Sequence, residues 1–313
     1  MEPVACPDAS GDLGTRRGST LASTQSSPAR LAHAAVGVRD LDRAVWFYCD
    51  VLGFRLVGST PHPRGSQPSK HRIYHLAGEG GRLDLLHLGD EAAPAKWDPD
   101  DTQVGFRHIG FKVQSVDGWA ERLRSLGVVF RQEPTSARGG VKLAFFEDPD
   151  GANLEIVQGF VQYDKVWDED AVVRERKLGV PAPGVARLDH VAITTPDLDS
   201  TIGFYRDVFG FRVLGQLLGD DPRGLKITYL SSMGAILEVL SFSAPTSPCP
   251  WQWGVPYRGL DHFGLAVDQI GPLQAVALAK GASLCYQRGG EAGRPWAMMT
   301  DPCGIPFALE QSN

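Results

Sequence analysis

Four histidines occupy equivalent positions in repeated stretches of this sequence: His33, His108, His190 and His262. Each lies in a short segment in which apolar residues alternate with other residues, the pattern of a half-buried β-strand. A neutral imidazole is a good ligand for Zn, Ni, Co, Mn and Fe. One histidine on a strand is usually structural, but four at one repeat position favour a divalent metal site.

Acidic residues recur on later strands of the same repeats. Asp84 in RLDLL corresponds to Glu238 in ILEVL, and Glu155 lies four residues after the glycine of DPDGANLE. A carboxylate in the middle of an apolar strand is costly unless it is paired or binds a metal. In the last repeat, Ala308 stands where an acid is expected, and Glu310 lies two residues further on the same face. One metal site, two sites and none all remain open.

The repeat itself predicts the elements that carry these residues. The segment DLDRAVWFYCDVLGFRLVG begins at Asp40, and DLDSTIGFYRDVFGFRVLG begins at Asp197. Each aspartate is a typical helix N-cap, and Gly53 and Gly210 are typical of a helix C-terminus. A strand precedes each helix and three strands are predicted to follow it.

A weaker copy follows within each half, and it includes a DPxG turn between its last two strands. We therefore predict an α+β fold of four βαβββ modules in two pairs, each pair forming a cupped mixed β-sheet with helices outside. The predicted division is a disordered tail (1–29), a first module pair (30–160), a linker with a short helix (161–186) and a second module pair (187–313).

The segments FYCDVLGF, FYRDVFGF and DPDGANLEIV, together with the four strand histidines, resemble the vicinal oxygen chelate superfamily. This superfamily includes glyoxalase I, fosfomycin- and bleomycin-resistance proteins and extradiol dioxygenases. The resemblance implies that two modules form one cup with a divalent metal ion inside, here Zn, Ni, Co, Mn or Fe. With sequence neighbours paired, one ligand set is His33, Asp84, His108 and Glu155, and the other is His190, Glu238, His262 and Glu310.

The reaction predicted from this resemblance is an isomerisation, epimerisation or lyase step on a small oxygenated substrate such as an α-hydroxyketone or cyclitol ketone. The metal would stabilise an enediolate and a carboxylate would move the proton. The candidate bases are Glu238, Glu310 and Glu155. A small molecule is accordingly the expected partner.

Two other functions remain open. An Fe(II) extradiol dioxygenase is disfavoured because neither stretch before a DPxG turn supplies the His and Tyr which that branch uses to handle protons. A drug- or metabolite-binding resistance protein would use the cup without catalysis.

Composition excludes several other classes. The chain has 313 residues and a net charge of −6, without a basic stripe, so nucleic acid is not expected as a partner. No run approaches the roughly 18 apolar residues of a membrane span. The five scattered cysteines favour reduced thiols and a cytoplasmic location. A monomer and a homodimer are both compatible with the sequence.

Overall fold

The structure is a computed structural model that describes residues 28–64, 70–94, 97–289 and 295–312. The predicted disordered tail, 1–29, lies outside the described residues except for its last two. Ala29 is buried and donates its N–H to the carbonyl oxygen of Phe209 at 2.9 Å. The last residue of the predicted tail is therefore already packed against module three.

Four βαβββ modules follow one another along the chain, as predicted. Module one consists of β1 (Arg30–Val38), α1 (Leu41–Val45) continuing as a π-helical segment (Trp46–Val51), β2 (Arg55–Pro61), β3 (Arg72–Gly78) and β4 (Gly81–His87), followed by a short 3-10 turn (Gly89–Glu91). Module two consists of β5 (Gly105–Lys112), α2 (Val116–Ser125), β6 (Phe130–Ser136), β7 (Lys142–Glu147) and β8 (Asn153–Gln158).

The second half repeats this order after a connecting segment with β9 (Lys165–Val166) and α3 (Glu169–Arg176). Module three consists of β10 (Arg187–Thr194), α4 (Leu198–Phe209), β11 (Arg212–Leu218), β12 (Lys226–Ser231) and β13 (Ile236–Ser241). Module four consists of β14 (Gly259–Val267), α5 (Ile270–Ala279), β15 (Ser283–Arg288), β16 (Trp296–Thr300) and β17 (Pro306–Gln311).

Asp40 and Asp197 begin helices, and Gly210 ends one, as predicted. The Asp40 carboxylate accepts the N–H of Arg43 at 3.1 Å, and the Asp197 carboxylate accepts that of Ser200 at 3.0 Å. These bonds satisfy N–H groups that the first turn of a helix leaves without a partner. Gly210 ends α4 in the left-handed conformation, with φ of 73°.

The pairing of modules differs from the prediction. Modules one and four share an eight-stranded sheet, in the order β15-β16-β17-β14-β1-β4-β3-β2. Modules two and three, with β9 at the edge, share a nine-stranded sheet in the order β6-β7-β8-β5-β10-β13-β12-β11-β9. The first strands of paired modules lie antiparallel, β1 beside β14 and β5 beside β10. The expectation that sequence neighbours form each cup was wrong, because the repeat fixes each module but not the partner of its first strand.

Sequence neighbours are joined instead through their helices. The Tyr48 hydroxyl of module one donates to Asp148 in the DPxG turn of module two at 2.9 Å. In the second half, the Tyr205 hydroxyl donates to Asp301 at 3.3 Å. Within each half, a helix tyrosine thus bonds to the DPxG turn of the next module, while each sheet joins the two halves.

The helices and the cysteines of the described residues can be compared with the expectations from sequence. No helix in the described ranges is long and apolar enough to cross a membrane. Four cysteines, Cys49, Cys249, Cys285 and Cys303, are free thiols, and Cys6 lies outside the described residues.

Candidate metal centre

The inner cup, formed by modules two and three, brings two imidazoles and two carboxylates together. The Nε2 atoms of His108 and His190 are 3.0 Å apart. A carboxylate oxygen of Glu155 lies 3.3 Å from the first of these atoms and 2.8 Å from the second. Glu238 lies slightly further away, with oxygens 3.9 and 3.8 Å from the two Nε2 atoms.

The strands that carry these residues explain why they meet. β5 and β10 are the central antiparallel pair, so their histidines project into the cup from adjacent strands. Gly110 lies opposite His190, and a Cβ atom built there would be 2.0 Å from the imidazole ring. Only glycine at this position allows the His190 ring to lie across the neighbouring strand. β8 and β13 flank the pair in parallel and supply Glu155 and Glu238.

Further polar groups orient the inner quartet. The Asp189 carboxylate lies 3.2 Å from Nδ1 of His190, and the ammonium group of Lys112 lies 3.4 Å from Asp189. Tyr229 lies directly opposite Glu238 on the neighbouring strand β12, and both side chains line the same cavity. A carboxylate behind a histidine fixes the orientation of its ring, the arrangement typical of a metal-binding histidine.

The surroundings shift the pKa values of the two inner carboxylates in opposite directions. Burial alone would raise the pKa of Glu155, but His190 and His108 outweigh it and hold that pKa well below its usual range. The pKa of Glu238 is raised by burial, even though His190 and His108 oppose the rise. Burial would lower the pKa of His190, but Glu155 and Asp189 raise it well above the ordinary value.

The outer cup, formed by modules one and four, collects the remaining four predicted ligands around a guanidinium group. The His33 and His262 Nε2 atoms are 3.5 Å apart, and a Glu310 oxygen lies 3.5 Å from Nδ1 of His33. Arg82 extends into this group. It donates to Glu310 at 2.6 Å, to both oxygens of Asp84 at 2.8 and 3.1 Å, and lies 3.0 Å from Nδ1 of His33.

Arg82 therefore supplies the positive charge of the outer cup. Burial would lower its pKa, but Asp84 and Glu310 raise it above the usual value. Burial would raise the pKa of Glu310, but His33 and Arg82 lower it to about 2. Two carboxylates bound to one guanidinium form strong charge-assisted hydrogen bonds that leave the cation in place.

Sheet register shows where the two cups diverge. Asp84 pairs with Ala35 as Glu238 pairs with Ala192, so these acids are equivalent. Ala308 pairs with Gly264 as Glu155 pairs with Gly110, so alanine does occupy the equivalent of Glu155.

The guanidinium also has a register equivalent. Arg82 pairs with His33 as Ile236 pairs with His190. The outer cup thus has an arginine where the inner cup has an isoleucine, and its acid Glu310 is displaced by two residues along β17.

Both predicted ligand sets must be regrouped. The structure brings His108, Glu155, His190 and Glu238 together in one cup, and His33, Asp84, His262 and Glu310 in the other. Each set therefore contains ligands from both halves of the chain, because each sheet joins one half to the other.

Sequence reasoning missed Arg82 and Tyr229. The signal for Arg82 was available, because it lies two residues before Asp84 on the same strand face, where the other half has Ile236 before Glu238. Tyr229 gave no such signal, since only the cross-strand pairing of β12 with β13 brings it to Glu238.

Both cups contain cavities, and their covers differ. The inner cavity, of about 230 Å³, is lined by His108, Glu155, His190 and Glu238 on its floor and by Phe160, Val161 and Tyr163 of the connecting segment above them. The outer cavity, of about 410 Å³, is lined by Arg82, Asp84 and Glu310 together with Trp296 and Tyr286.

Comparison with known proteins defines the class of this protein. The sequence model of the Glyoxalase/Bleomycin resistance protein/Dioxygenase superfamily matches residues 30–156 and again 187–309. The chain belongs to this superfamily, and its fold and repeated modules agree with the resemblance inferred from sequence.

Individual relatives are known from sequence and structure. The chain is 31% identical over 131 residues to a probable lactoylglutathione lyase of Synechocystis, a match that covers 41% of this chain and 94% of that protein. It resembles the crystal structure of glyoxalase I from Zea mays with a TM-score of 0.63 and 22% identity, over 90% of this chain and 92% of that one. It also resembles a putative dioxygenase from Bacillus subtilis, with a TM-score of 0.60 and 15% identity, over 91% and 86% of the two chains. The two structural likenesses concern the fold.

Proposed function

We propose that this protein is a metal-dependent isomerase, epimerase or lyase whose reaction takes place in the inner cup. One observation carries the proposal: ligand atoms of His108, Glu155 and His190, all buried, lie within 4.8 Å of one another. Two imidazoles and one carboxylate form the donor set that Zn, Ni, Co, Mn and Fe accept with positions left for substrate. The names of the sequence relatives, which include lactoylglutathione lyases, support the same reaction class.

The outer cup does not fit a metal in the same way. Arg82 donates to Asp84 and Glu310, so two of the four donors already have a cation. A metal ion there would have to displace a guanidinium held by both carboxylates. We therefore assign one metal site per chain, in the inner cup.

Within the inner cup, we assign Glu238 as the base and Glu155 as a ligand. Glu155 lies between the two imidazoles, while Glu238 lies further from both and has Tyr229 opposite it on β12. A divalent cation bound there would supply Lewis-acid polarisation of a substrate carbonyl. Glu238 would then remove the proton from the carbon beside that carbonyl and return it. Glu310 and Asp84 bind Arg82 and take no part.

The test combines metal analysis with solvent exchange. The purified protein should contain one zinc, nickel, cobalt, manganese or iron ion per chain, by elemental mass spectrometry. In heavy water, the metal-loaded protein should catalyse exchange of the proton beside the carbonyl of small α-hydroxyketones. NMR measures the loss of that proton signal. Glu238→Gln should abolish exchange while retaining metal. Oxygen uptake with a catechol substrate would instead establish a dioxygenase, and absence of metal after reconstitution would refute the assignment.

A further inference from the structure

The connecting segment between the two halves, residues 160–176, forms one side of the inner cavity. Its strand β9 pairs with β11 at the edge of the sheet, with Val166 opposite Gly215. On the other rim, Gln162 donates its N–H to the carbonyl oxygen of Gly139 at 2.8 Å. The segment is thus anchored to module two and to module three, and it crosses the space between them.

The strand below the segment is shaped for this crossing. A Cβ atom built on Gly215 would lie 2.6 Å from the carbonyl oxygen of Lys165 and 2.6 Å from the Tyr163 ring. No side chain could be accommodated there without displacing the segment. At Gly58, the corresponding glycine beside the bulge of β2 in the outer cup, such a Cβ atom meets nothing within 4 Å. Close covering is therefore a property of the inner cup among the described residues.

The inward face of this segment is apolar at its start and carries Glu175 and Arg176 at its end. Phe160, Val161 and Val172 line the cavity opposite the metal-binding floor, with Leu217 and Ile227 of module three beside them. The volume of about 230 Å³ is below the roughly 300–1,000 Å³ of pockets that hold drug-sized ligands. The cavity is suited to a substrate much smaller than a tripeptide adduct.

Charged side chains around the cavity have partners within the protein. Ser231 donates a hydrogen bond to Glu175, and Arg176 donates to the carbonyl oxygen of Val161 at 3.3 Å. Lys112 lies 3.4 Å from Asp189 and donates to the carbonyl oxygen of Gly159 at 2.9 Å. Arg138 binds Asp164 of the segment at 3.0 Å and Asp220 at 3.1 Å. A charged tail that reached Lys112 would have to break its buried pair with Asp189, and one that ended against Phe160 or Val172 would bury its charge among apolar side chains; both are costly.

We propose that segment 160–176 is the substrate-selecting wall of the inner cup, and that the substrate carries a short, uncharged hydrocarbon group beside its two neighbouring oxygens. This inference rests on the proposed function and specifies its substrate class. It excludes the glutathione adducts named for the sequence relatives, since glutathione brings two carboxylates and an ammonium group into this cavity.

Hydroxamic acids test the wall without requiring turnover, because they present two neighbouring oxygens to a metal. Dissociation constants are measured by calorimetry on the metal-loaded protein. From acetohydroxamic to butanohydroxamic acid, we expect binding to tighten by about three- to fourfold for each added methylene group that the cavity buries. Succinic monohydroxamic acid, which matches the butano compound but ends in a carboxylate, should bind at least about tenfold more weakly than the butano compound.

Substitutions in segment 160–176 test whether this segment determines the preference among the hydroxamic acids. Val161→Lys should reverse the preference in favour of the succinic compound. Phe160→Ala should reduce the gain per methylene and admit longer chains. Val173→Lys is the matched control: Val173 is half exposed on α3 and is not among the residues that line the cavity, so this change should leave the series unaltered.

The outcomes separate the two proposals. Equal binding of the butano and succinic compounds, or a series unchanged by both wall variants, would overturn the selecting wall while the metal site stands. A protein that carries metal but binds no hydroxamic acid, or one that takes up no metal, would refute the proposed function and this inference with it.

Discussion

The inner and outer cups are built on equivalent strands in the same register, yet they differ in the residue two places before the acid of β13 and β4. At one equivalent position the inner cup has Ile236, which leaves its two imidazoles and carboxylates facing each other. The outer cup has Arg82 there, and the guanidinium binds both carboxylates. The comparison teaches that a buried acidic cluster needs a cation, and that the chain itself can supply one.

The second difference lies at the equivalent of Glu155. Ala308 removes the acid that lies between the imidazoles, and Glu310 replaces it two residues further along the strand, in contact with Arg82. The two changes fit one another, since moving the acid outward gives the guanidinium room and a partner. The outer cup is therefore a coherent ion-pair cluster.

The largest effect should come from the histidines. His190→Ala should abolish metal binding, because it removes one of three donors that lie within 4.8 Å of one another. His33→Ala should leave the metal content of the protein unchanged. Elemental analysis of both variants checks this, and metal loss in His33→Ala would show that the outer cup also binds a metal.

Substitutions at the equivalent positions 82 and 236 should change the stability of the protein and its metal binding. Arg82→Ile should destabilise the protein by about 3 kcal/mol, because it leaves the buried Asp84 and the half-buried Glu310 without their cation. Ile236→Arg should in turn expel the metal from the inner cup.

Unfolding in urea and metal analysis measure these effects. Combining Arg82→Ile with Ala308→Glu restores the inner donor set in the outer cup, and a second metal ion per chain is expected. A double variant that gains no metal would show that register alone does not determine the site.

Acid should weaken the outer cup. The pKa of Glu310 is lowered from 4.5 to about 2, so the folded protein binds this proton less readily than the unfolded chain. The resulting stabilisation, up to about 3 kcal/mol, is fully present above pH 4.5 and is lost as the pH falls through about 2.

Urea unfolding at a series of pH values tests this for the metal-free protein. Glu310→Gln should show a shallower fall than the unsubstituted chain between pH 4.5 and 2. Identical pH profiles would mean that Glu310 does not bind Arg82.

The smallest effect concerns the carboxylates behind the histidines. Asp189→Asn should weaken metal binding by about 10–100-fold, because Asp189 orients the His190 ring. Asp261 lies 2.7 Å from Nδ1 of His262 in the outer cup, so Asp261→Asn is the matched control and should leave metal affinity unchanged. Competition with a metal-binding dye measures both. Equal affinities of the two variants would contradict the assignment of the metal to the inner cup.

Local signals explain how much of this protein could be predicted. The repeated segments after Asp40 and Asp197 predicted the helices, since an N-cap and a terminal glycine act within a few residues. The alternation around His33 and His190 predicted strands that do form, although both are buried along nearly their whole length and not on one face alone. The grouping of histidines with acids failed because the partner of a first strand depends on contacts between distant segments.

The sequence by itself determined the four modules, the superfamily and the eight residues that gather in the two cups. Each of these follows from patterns of two to about twenty neighbouring residues, whose conformations depend on local physical chemistry. Only the tertiary structure decided that modules two and three share the inner cup and that the segment after Phe160 lines its cavity. It also decided that Arg82 reaches the acids of the outer cup. These features depend on which strands lie side by side. Strand pairing joins segments that are far apart in the chain, and modules of similar sequence offer similar first strands as partners.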